Sequence, residues 1–561
     1  MSTFNNTVRT RRKTRLATAL ALALGLGAAQ VFGADSATSS PAAHTALEVG
    51  RAATGLTAGD DTISVLIRSA ATGDLGNPFT QAVARLKAAQ TASATGAVII
   101  VTNCNDSGPG SLREAVSNAM SGDTVDLSGI DCTGGIKLAS SIVTTVDDLT
   151  IKGNPVRKYD INGQNSVRPI THAGTGTLTL DGVAVSDGAV TSATQTTLGG
   201  CIYSNGDIYL VNSRVRQCHA TNTNTSTSVN SFARGGGVYA KGTLTVVNSS
   251  ITSSTAKSDS SRAVGGNIYA DKVVIANSII SGGTANGGIV SLGGGIFAKT
   301  GFMGKYANIS GNQANGGNFA NGGGVWVGSG EHIQLKYSTV SDNTARGAAG
   351  LAIGYLANDG DALTIQSSTI ANNHSTATER HYGGAVFAGT DTVTIKNTTI
   401  SGNTESNASD MKYGAGLRIK PGVTATLSST VVAGNVLKLV GSDTTMPDDL
   451  TAANFTSDGS VKGTILGDHN FIAQRILTDV PSDTLGTDGL TPLNPMLGPL
   501  ADNGGYTKTM RPKPGSPLID AGNDNELTKD QRGSDFPRIV GPAADIGAVE
   551  ANDIIFANGF D

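Results

Sequence analysis

From Val98 onward, apolar and polar residues alternate over short runs such as Gly176-Thr-Leu-Thr-Leu-Asp-Gly182, and Gly, Asn and Ser punctuate the runs. Period-two alternation sends successive side chains to opposite faces of a strand, and the punctuating residues tolerate tight turns. The runs themselves recur. A segment of the form Ser/Asn-x-Φ-Ser-x-Asn, with Φ β-branched, places Φ at Val185, Val215, Ile251, Ile280, Ile309, Val340, Ile370, Ile400 and Val431, an average spacing of about 31 residues. A second marker, Gly-Gly-x-Φ-aromatic, keeps step at Ile202, Val238, Ile268, Ile296, Val325, Leu351, Val386 and Leu417. Two markers at one period define a structural repeat.

Each repeat holds three short strands and cannot bury its own apolar face. Stacked about 4.8 Å apart, successive repeats pair every strand with the coil above and below and enclose one column of Val and Ile. The spacing therefore predicts an all-β parallel β-helix with coils of about 31 residues, its nine regular coils rising about 40 Å. Parallel crossovers favour a right-handed path. Less regular coils are expected over 98–182. The Leu-x-x-Leu-x-Leu and Trp-Asp signatures of other repeat folds are absent.

Composition narrows the class. Gly accounts for 74 of 561 residues, and aromatic residues for only 4 %. A helical bundle would instead be dense in Glu, Lys and Leu. Forty basic and 44 acidic side chains, with no long run of one sign, leave no track for a nucleic acid. At the N-terminus Arg9, Arg11, Arg12, Lys13 and Arg15 precede the apolar run Leu16 to Ala29, and small residues follow near Gly33 and Ala34. This is the pattern of an export signal, shorter than a membrane span, and no transmembrane segment is expected after its cleavage. The predicted organisation is a signal peptide over 1–33, an Ala/Thr/Ser-rich leader or linker over 34–97 with one short helix from Pro78 to Ala89, the β-helix over 98–440, a C-terminal region over 441–550 and a tail over 551–561.

Aligning the repeats gives columns with distinct chemistry. Three residues after Φ stand Asn312, Asn343, Asn373 and Asn403, each able to donate to one neighbouring coil and accept from the other, and they are assigned to a structural ladder. Cys218 occupies that column one repeat after Gly188, with Cys201 in the preceding Gly-Gly segment. Cys201 with Cys218, and Cys104 with Cys132, would each close a short loop worth about 3 kcal/mol. No CxxC spacing or His cluster accompanies them, so no metal or other cofactor is expected. Immediately after the Gly-Gly-x-Φ position come Tyr203, Tyr239, Tyr269, Phe297, Trp326, Ala352, Phe387 and Arg418. If the aliphatic neighbours face the core, these six aromatics form an outer ladder for stacking on the sugar rings of an extended glycan; the alternative is an internal or roofed stack.

Catalytic residues are not evident. Asp271, Asp342, Glu331, Asp359 and Asp361 do not share a repeat column, so neither a cation cluster with a basic residue nor a facing carboxylate pair can be assembled from them. Arg418-Ile-Lys420 resembles a polygalacturonase triplet, but that family's Asp pairs and Gly-His-Gly segment are missing. Asp520, Asp530, Arg532, Asp545 and Glu550 are the most concrete enzyme candidates; their structural alternative is a set of turn caps and salt bridges closing the open end of the β-helix.

Several motifs resemble known families. Gly294-Gly-Ile-Phe297, Gly323-Gly-Val-Trp326 and Gly383-Gly-Ala-Val386, with Ile309-Ser-Gly-Asn312 and Ile400-Ser-Gly-Asn403, resemble the paired repeats of polymorphic outer membrane proteins, although Ile or Val stands where those carry Phe. Asn105-Asp-Ser-Gly-Pro-Gly-Ser-Leu-Arg-Glu-Ala115 with Gly122-Asp-Thr-Val-Asp126 is similar to the Ser-Leu-Arg-Glu-Ala module that opens secreted β-helices. Pro495 to Gly505, Gly515 to Gly522, Asp530 to Gly533 and Asp545 to Glu550 resemble the choice-of-anchor family, and Ile555 to Asp561 a short tail of secreted gammaproteobacterial proteins. These resemblances imply a right-handed parallel β-helix with a C-terminal capping module, at the outer-membrane surface of a Gram-negative bacterium or outside it. The expected function is adhesion or glycan binding without catalysis, with a polysaccharide or cell-surface glycan and the secretion or sorting machinery as partners. The alternative is a polysaccharide lyase or glycoside hydrolase of the β-helix type.

Overall fold

The computed structural model describes residues 96–154, 159–226, 231–317, 319–330, 332–354, 360–376, 383–408, 414–452, 463–476, 484–487 and 492–551. The expected signal peptide, most of the leader with its helix from Pro78 to Ala89, the tail beyond Ala551, and Glu331 and Asp359 lie outside them. The chain divides into two units, Met1–Arg51 and Ala52–Asp561, and all described residues belong to the second.

A parallel β-solenoid of about 11 turns dominates that unit. One coil shows the pattern: strands Val325–Val327, Ile333–Lys336, Thr339–Ser341 and Thr344–Ala345 follow one another around the axis. Each pairs in parallel with the next coil, Val325 with Leu351, Ile333 with Leu363 and Val340 with Ile370. Inward residues of three faces meet in one apolar column that includes Ile309, Val325, Leu335 and Ile370.

The fourth and fifth strands of a coil form an outward arch, for example Thr255–Ser258 and Arg262–Val264. Its interior is lined by alanines: Ala256, Ala263 and Ala285 in one cluster, Ala314, Ala320 and Ala345 in another. Only a small side chain fits between the two legs. The arch returns to the first face through the Gly-Gly segment, which explains that motif. Gly265 has φ +70°, and a Cβ on Gly266 would lie 2.1 Å from the Gly294 carbonyl oxygen.

The first residue of the Ser/Asn-x-Φ motif is an internal hydrogen-bonding device. Ser249 Oγ accepts from the Ser213 amide at 2.9 Å and donates to the Val247 carbonyl at 2.7 Å. Ser278 does the same for Ser249, and Ser368 for Ser338. Each of these coils thereby closes a buried turn that no strand ladder can satisfy.

At the N-terminal end the helix Leu112–Asn118 buries Leu112, Ala115 and Val116 against the last open turn of the core. Ser111 caps it by accepting from the Glu114 amide, while Glu114 accepts from the amide of Gly110, one residue before the cap, at 2.6 Å. Arg113 ties the helix to Asp106 at 2.6 Å and to the Ser140 and Ser141 carbonyls.

Two expectations need correction. The last Φ position is Val432, not Val431, because Ile400 pairs with Val432. One extra residue enters between Ile419 and Thr424, at the Lys420-Pro421-Gly422 turn, where Ala388 pairs with Ile419 but Thr392 with Thr424. Val431 consequently points outward, into a cluster with Phe471, Leu518 and Ile546. Secondly, residues 492–551 lie along one flank of the solenoid instead of across its end. Tyr506 contacts Tyr306, Lys508 accepts from Thr339, Gln531 bonds Thr369, Asn397 donates to Asn523, and Ala548 donates to Thr399. These anchor points follow the turn between the second and third faces through successive coils, where left-handed residues such as Tyr306, Tyr337, Ser367, Asn397 and Ser429 hold backbone and side chain out for docking.

Candidate functional site: an outer aromatic column

On the first face of each coil the aliphatic residue of Gly-Gly-x-Φ points inward and its successor outward. Tyr203, Tyr239, Tyr269, Phe297 and Trp326 therefore stand above one another on the outside of five consecutive coils. Their rings stack nearly parallel with centroid separations of 5.5, 5.0, 4.8 and 4.5 Å. Ala352 interrupts the column, and Phe387 and Arg418 continue it.

The alanine-lined arch stands beside this column and covers it unevenly. Val264 packs with Phe297, Trp326, Ala348, Ala352 and Phe387 in one cluster, with Tyr269 and Leu292 at its margin. Phe297, Trp326 and Phe387 are buried, and only Tyr203, Tyr239 and Tyr269 remain half-exposed. The expectation of a six-residue stacking platform is thus corrected in two respects. Three of its members cannot be reached, and the ring faces of the others are occupied by each other. A ring stacked on both sides has no face left for a sugar.

What remains accessible is a row of ring edges and phenolic hydroxyls with cations beside it. Arg168 lies over the Tyr203 ring at 5.4 Å while bonding the Leu198 and Gly199 carbonyls. Arg234 lies 5.5 Å from the Tyr269 ring centroid and bonds the Tyr239 hydroxyl. Tyr203 donates to Asn205 Oδ1. Burial raises the pKa of Tyr239 and Tyr269, so both are neutral donors at physiological pH. Spaced one per coil, they form a row suited to successive hydroxyl or carboxylate groups of an extended ligand.

The structural ladder lies inside. Asn312 Nδ2 donates to Asn343 Oδ1 at 2.9 Å, Asn343 to Asn373 at 2.9 Å and Asn373 to Asn403 at 3.0 Å. Sequence reasoning missed its two ends. Asn403 donates to Asn435, which donates to Asp449 Oδ1. Asn435 lies three residues after the true Φ, Val432, so the one-residue slip hid it. At the other end Asn267 donates to Asn312 Oδ1 and accepts from the Ser254 amide. It fills the space over Gly283, where a Cβ would sit 2.5 Å from its Nδ2. Before that, Cys218 and Cys201 form one disulfide, and Cys104 and Cys132 the other.

Carboxylates of unusual character are present but enclosed. Glu405 occupies the arch column otherwise held by Ala256, Ala285, Ala345 and Ser375, a departure visible from the repeat alignment. Burial, then the neighbouring Asp448, pushes its pKa up to about 8. Asp449 is raised to about 7, again chiefly by burial. Both are fully buried.

Both groups are protonated more readily folded than unfolded. Their stabilising contribution is complete below about pH 4 and is lost as pH rises through about 7 to 8. For Glu405 alone the loss is on the order of 5 kcal/mol. Melting temperature is expected to fall from pH 5 to 8, and the double variant Glu405→Gln, Asp449→Asn to lessen that fall, the remainder coming from Glu550, which burial also raises to about 8. A wild-type profile that is flat over this range would refute the assignment.

The C-terminal candidates form a closed network. Asp530 pairs with Arg532 at 2.7 Å and accepts from the Glu550 amide. Glu550 pairs with Arg538 at 3.2 Å and accepts from the Asp545 amide, while Asp545 accepts from the Asp520 amide at 2.9 Å. Asp530, Arg532, Arg538, Asp545 and Glu550 are buried, and their bonds fix the turns of the flank module. Asp271 pairs with Lys299, and Asp361 caps Gly330, on different coils.

No family model matches the chain, and no curated protein matches it. Among solved structures, the crystal structure of pectate lyase Pel9A is similar over 82 % of this chain and 97 % of its own, at 14 % identity and a TM-score of 0.37. At that level the likeness carries no argument about chemistry. The parallel, in-register pairing itself establishes the β-solenoid, and the family resemblances rest on their sequence motifs alone. Among the described residues no group of three His, Cys, Asp or Glu side chains is placed to hold a metal ion, and no helix is long and apolar enough to cross a membrane.

Proposed function

We propose that the protein is an exported or surface-displayed β-helix that acts in adhesion or glycan binding without catalysis, its ligand lying along the outer column at Tyr203, Tyr239 and Tyr269. The carrying observation is that row of half-exposed phenols, one per coil, flanked by Arg168 and Arg234. The mode is hydrogen bonding to hydroxyl edges, with an acidic or hydroxyl-rich extended polysaccharide as ligand. Two disulfides fit an oxidising compartment, and the signal-like N-terminus and anchor-like C-terminal motifs fit display on a Gram-negative surface, reached with the host's secretion or sorting machinery. The strongly shifted carboxyls are buried, away from any polymer.

Tyr239→Phe and Tyr269→Phe keep the ring stack and remove one hydroxyl each. Affinity for a bound polysaccharide is expected to fall about 2- to 12-fold per substitution, the worth of one hydrogen bond, with little change in melting temperature. Trp326→Ala, in contrast, should cost about 3 to 5 kcal/mol of stability. Unchanged binding by the double Phe variant would remove the column from consideration. Release of reducing or unsaturated ends from a bound glycan would replace this reading with the lyase or hydrolase alternative.

A further inference from the structure

The tyrosine row has a charged border on the side of the arch. Ala233 and Ala263 point into the arch interior, so alternation turns their neighbours Arg234 and Arg262 to its other side, on successive coils. Both guanidinium groups lie on one half-exposed ring. Arg234 Cζ is 4.9 Å and Arg262 Cζ 5.7 Å from the Phe232 centroid. Arg234 also reaches the row itself, 5.5 Å from the Tyr269 centroid and hydrogen-bonded to the Tyr239 hydroxyl.

These charges are not neutralised by their surroundings. Among the described residues no carboxylate forms an ion pair with Arg168, Arg234 or Arg262. The acidic groups nearby are engaged: Asp271, beside Tyr269, pairs with Lys299 at 3.4 Å, and Asp259 with Lys257 of the first arch leg at 2.8 Å. Two like charges on one ring repel each other, and stacking on that ring does not remove the repulsion. Arg168 is in a different position. It is committed to the Gly199 and Leu198 carbonyls and to the Thr171 hydroxyl, so it lends the row charge more than contacts.

The bond between Arg234 and Tyr239 has a direction. A guanidinium only donates, so the phenolic oxygen accepts and its own O–H is available to a ligand.

We infer that the glycan of this row is anionic, its carboxylate or sulfate groups held by Arg234 and Arg262 and its hydroxyls by Tyr239 and Tyr269. The inference rests on the tyrosine row as the binding site and narrows its ligand to an acidic chain. Arginine suits an oxyanion because its planar donors meet two oxygens at once. A coil rise of about 4.8 Å lets arginines on adjacent coils act on one stretch of polymer. A neutral glycan leaves both guanidinium groups without a counter-charge.

The test measures equilibrium binding of the full chain to polygalacturonate, dextran sulfate and neutral dextran, at low and at physiological salt. At least one of the two acidic polymers is expected to bind about tenfold or more tightly than dextran, and more weakly as salt is raised. Arg262→Gln, at an exposed side chain, is expected to lower that affinity about tenfold, the worth of one charge-assisted hydrogen bond. Lys420→Gln removes one charge from an exposed turn on a distant coil and is expected to leave it unchanged. The bound polymer should also protect Arg234 and Arg262 from phenylglyoxal, read by mass spectrometry. A preference between the two acidic polymers would support the inference and name the oxyanion. Binding to none, dextran binding as tightly as both, or equal losses in Arg262→Gln and Lys420→Gln would overturn it. Affinity lost in the Tyr239→Phe, Tyr269→Phe double variant with both arginines unprotected would keep the row and overturn the anion site. Protected arginines with affinity unchanged in that variant would support the anion site and remove the row.

Discussion

Ile370→Asp is expected to abolish the cooperative folding of the central coils at neutral pH. Ile370 is fully buried between Val340 and Ile400, in the column that every coil shares. The substitution removes an apolar side chain worth about 2 to 5 kcal/mol when truncated in a core. It also places a carboxyl where no polar partner lines the column, at a further cost of several kcal/mol whether the group ionises or remains protonated. Since whole domains are stable by only about 5 to 15 kcal/mol, this one change approaches the entire margin. Because each coil contacts chiefly its neighbours, the defect also separates the coils on either side into two weaker arrays. Thermal melting followed by far-ultraviolet circular dichroism checks it. An unchanged melting temperature would mean that Ile370 faces solvent.

The second large effect is expected from Asn373→Leu, which conserves volume but not polarity. Asn373 Oδ1 accepts from both the amide and the side chain of Asn343, while its Nδ2 donates to the Val340 and Ala371 carbonyls and to Asn403 Oδ1. Leucine leaves those groups unpaired in a site with almost no solvent exposure. At about 1 to 3 kcal/mol for each buried group left unsatisfied, partly relieved by relaxation, the loss should reach about 3 to 6 kcal/mol. Asn248→Leu, in the outer row formed by Asn212, Asn248 and Asn277, should cost less, since that side chain is half-exposed and water can replace the bonds it loses, from Asn277 at 2.8 Å and to Asn212 at 3.4 Å. Denaturant melts of the two variants give the comparison. Equal losses would show that the inner ladder has no special weight.

The coil was legible in the sequence because the solenoid repeats its chemistry at fixed spacing. Val, Ile, Gly-Gly and Asn recur where the fold needs an inward aliphatic, a left-handed close approach and a turn ladder. Register failed at one place, where Val431 and Val432 are both apolar and a single extra residue near Pro421 decides between them. Strand alternation makes such a slip exchange the inner and outer faces. The flank position of residues 492–551 was not legible. It depends on hydroxyls and amides at non-equivalent turns, Thr339, Thr369, Asn397 and Ser429, which look like ordinary repeat residues until a second element is seen against them.

At the candidate site, the aromatic column followed from the repeat, while its direction was left between an outer ladder and an internal or roofed stack. Which rings the roof covers did not follow from the sequence. The arch that shields Phe297 and Trp326 is built by alanines and Val264, and what it covers depends on how the arch folds back, a tertiary fact without a local signal. Ring stacking likewise follows from coil spacing. Rings held near 5 Å apart by the backbone occupy each other's faces, so the same column that suggested sugar stacking makes it unavailable.

The most direct measurement is equilibrium binding of the purified chain to a panel of acidic and neutral polysaccharides, with every incubation assayed for new reducing ends and for unsaturated products. The account predicts saturable binding to at least one extended glycan, weakened in the Tyr239→Phe, Tyr269→Phe double variant, with no product formed. Binding to none, binding indifferent to both tyrosines, or product release at enzymatic rates would contradict it.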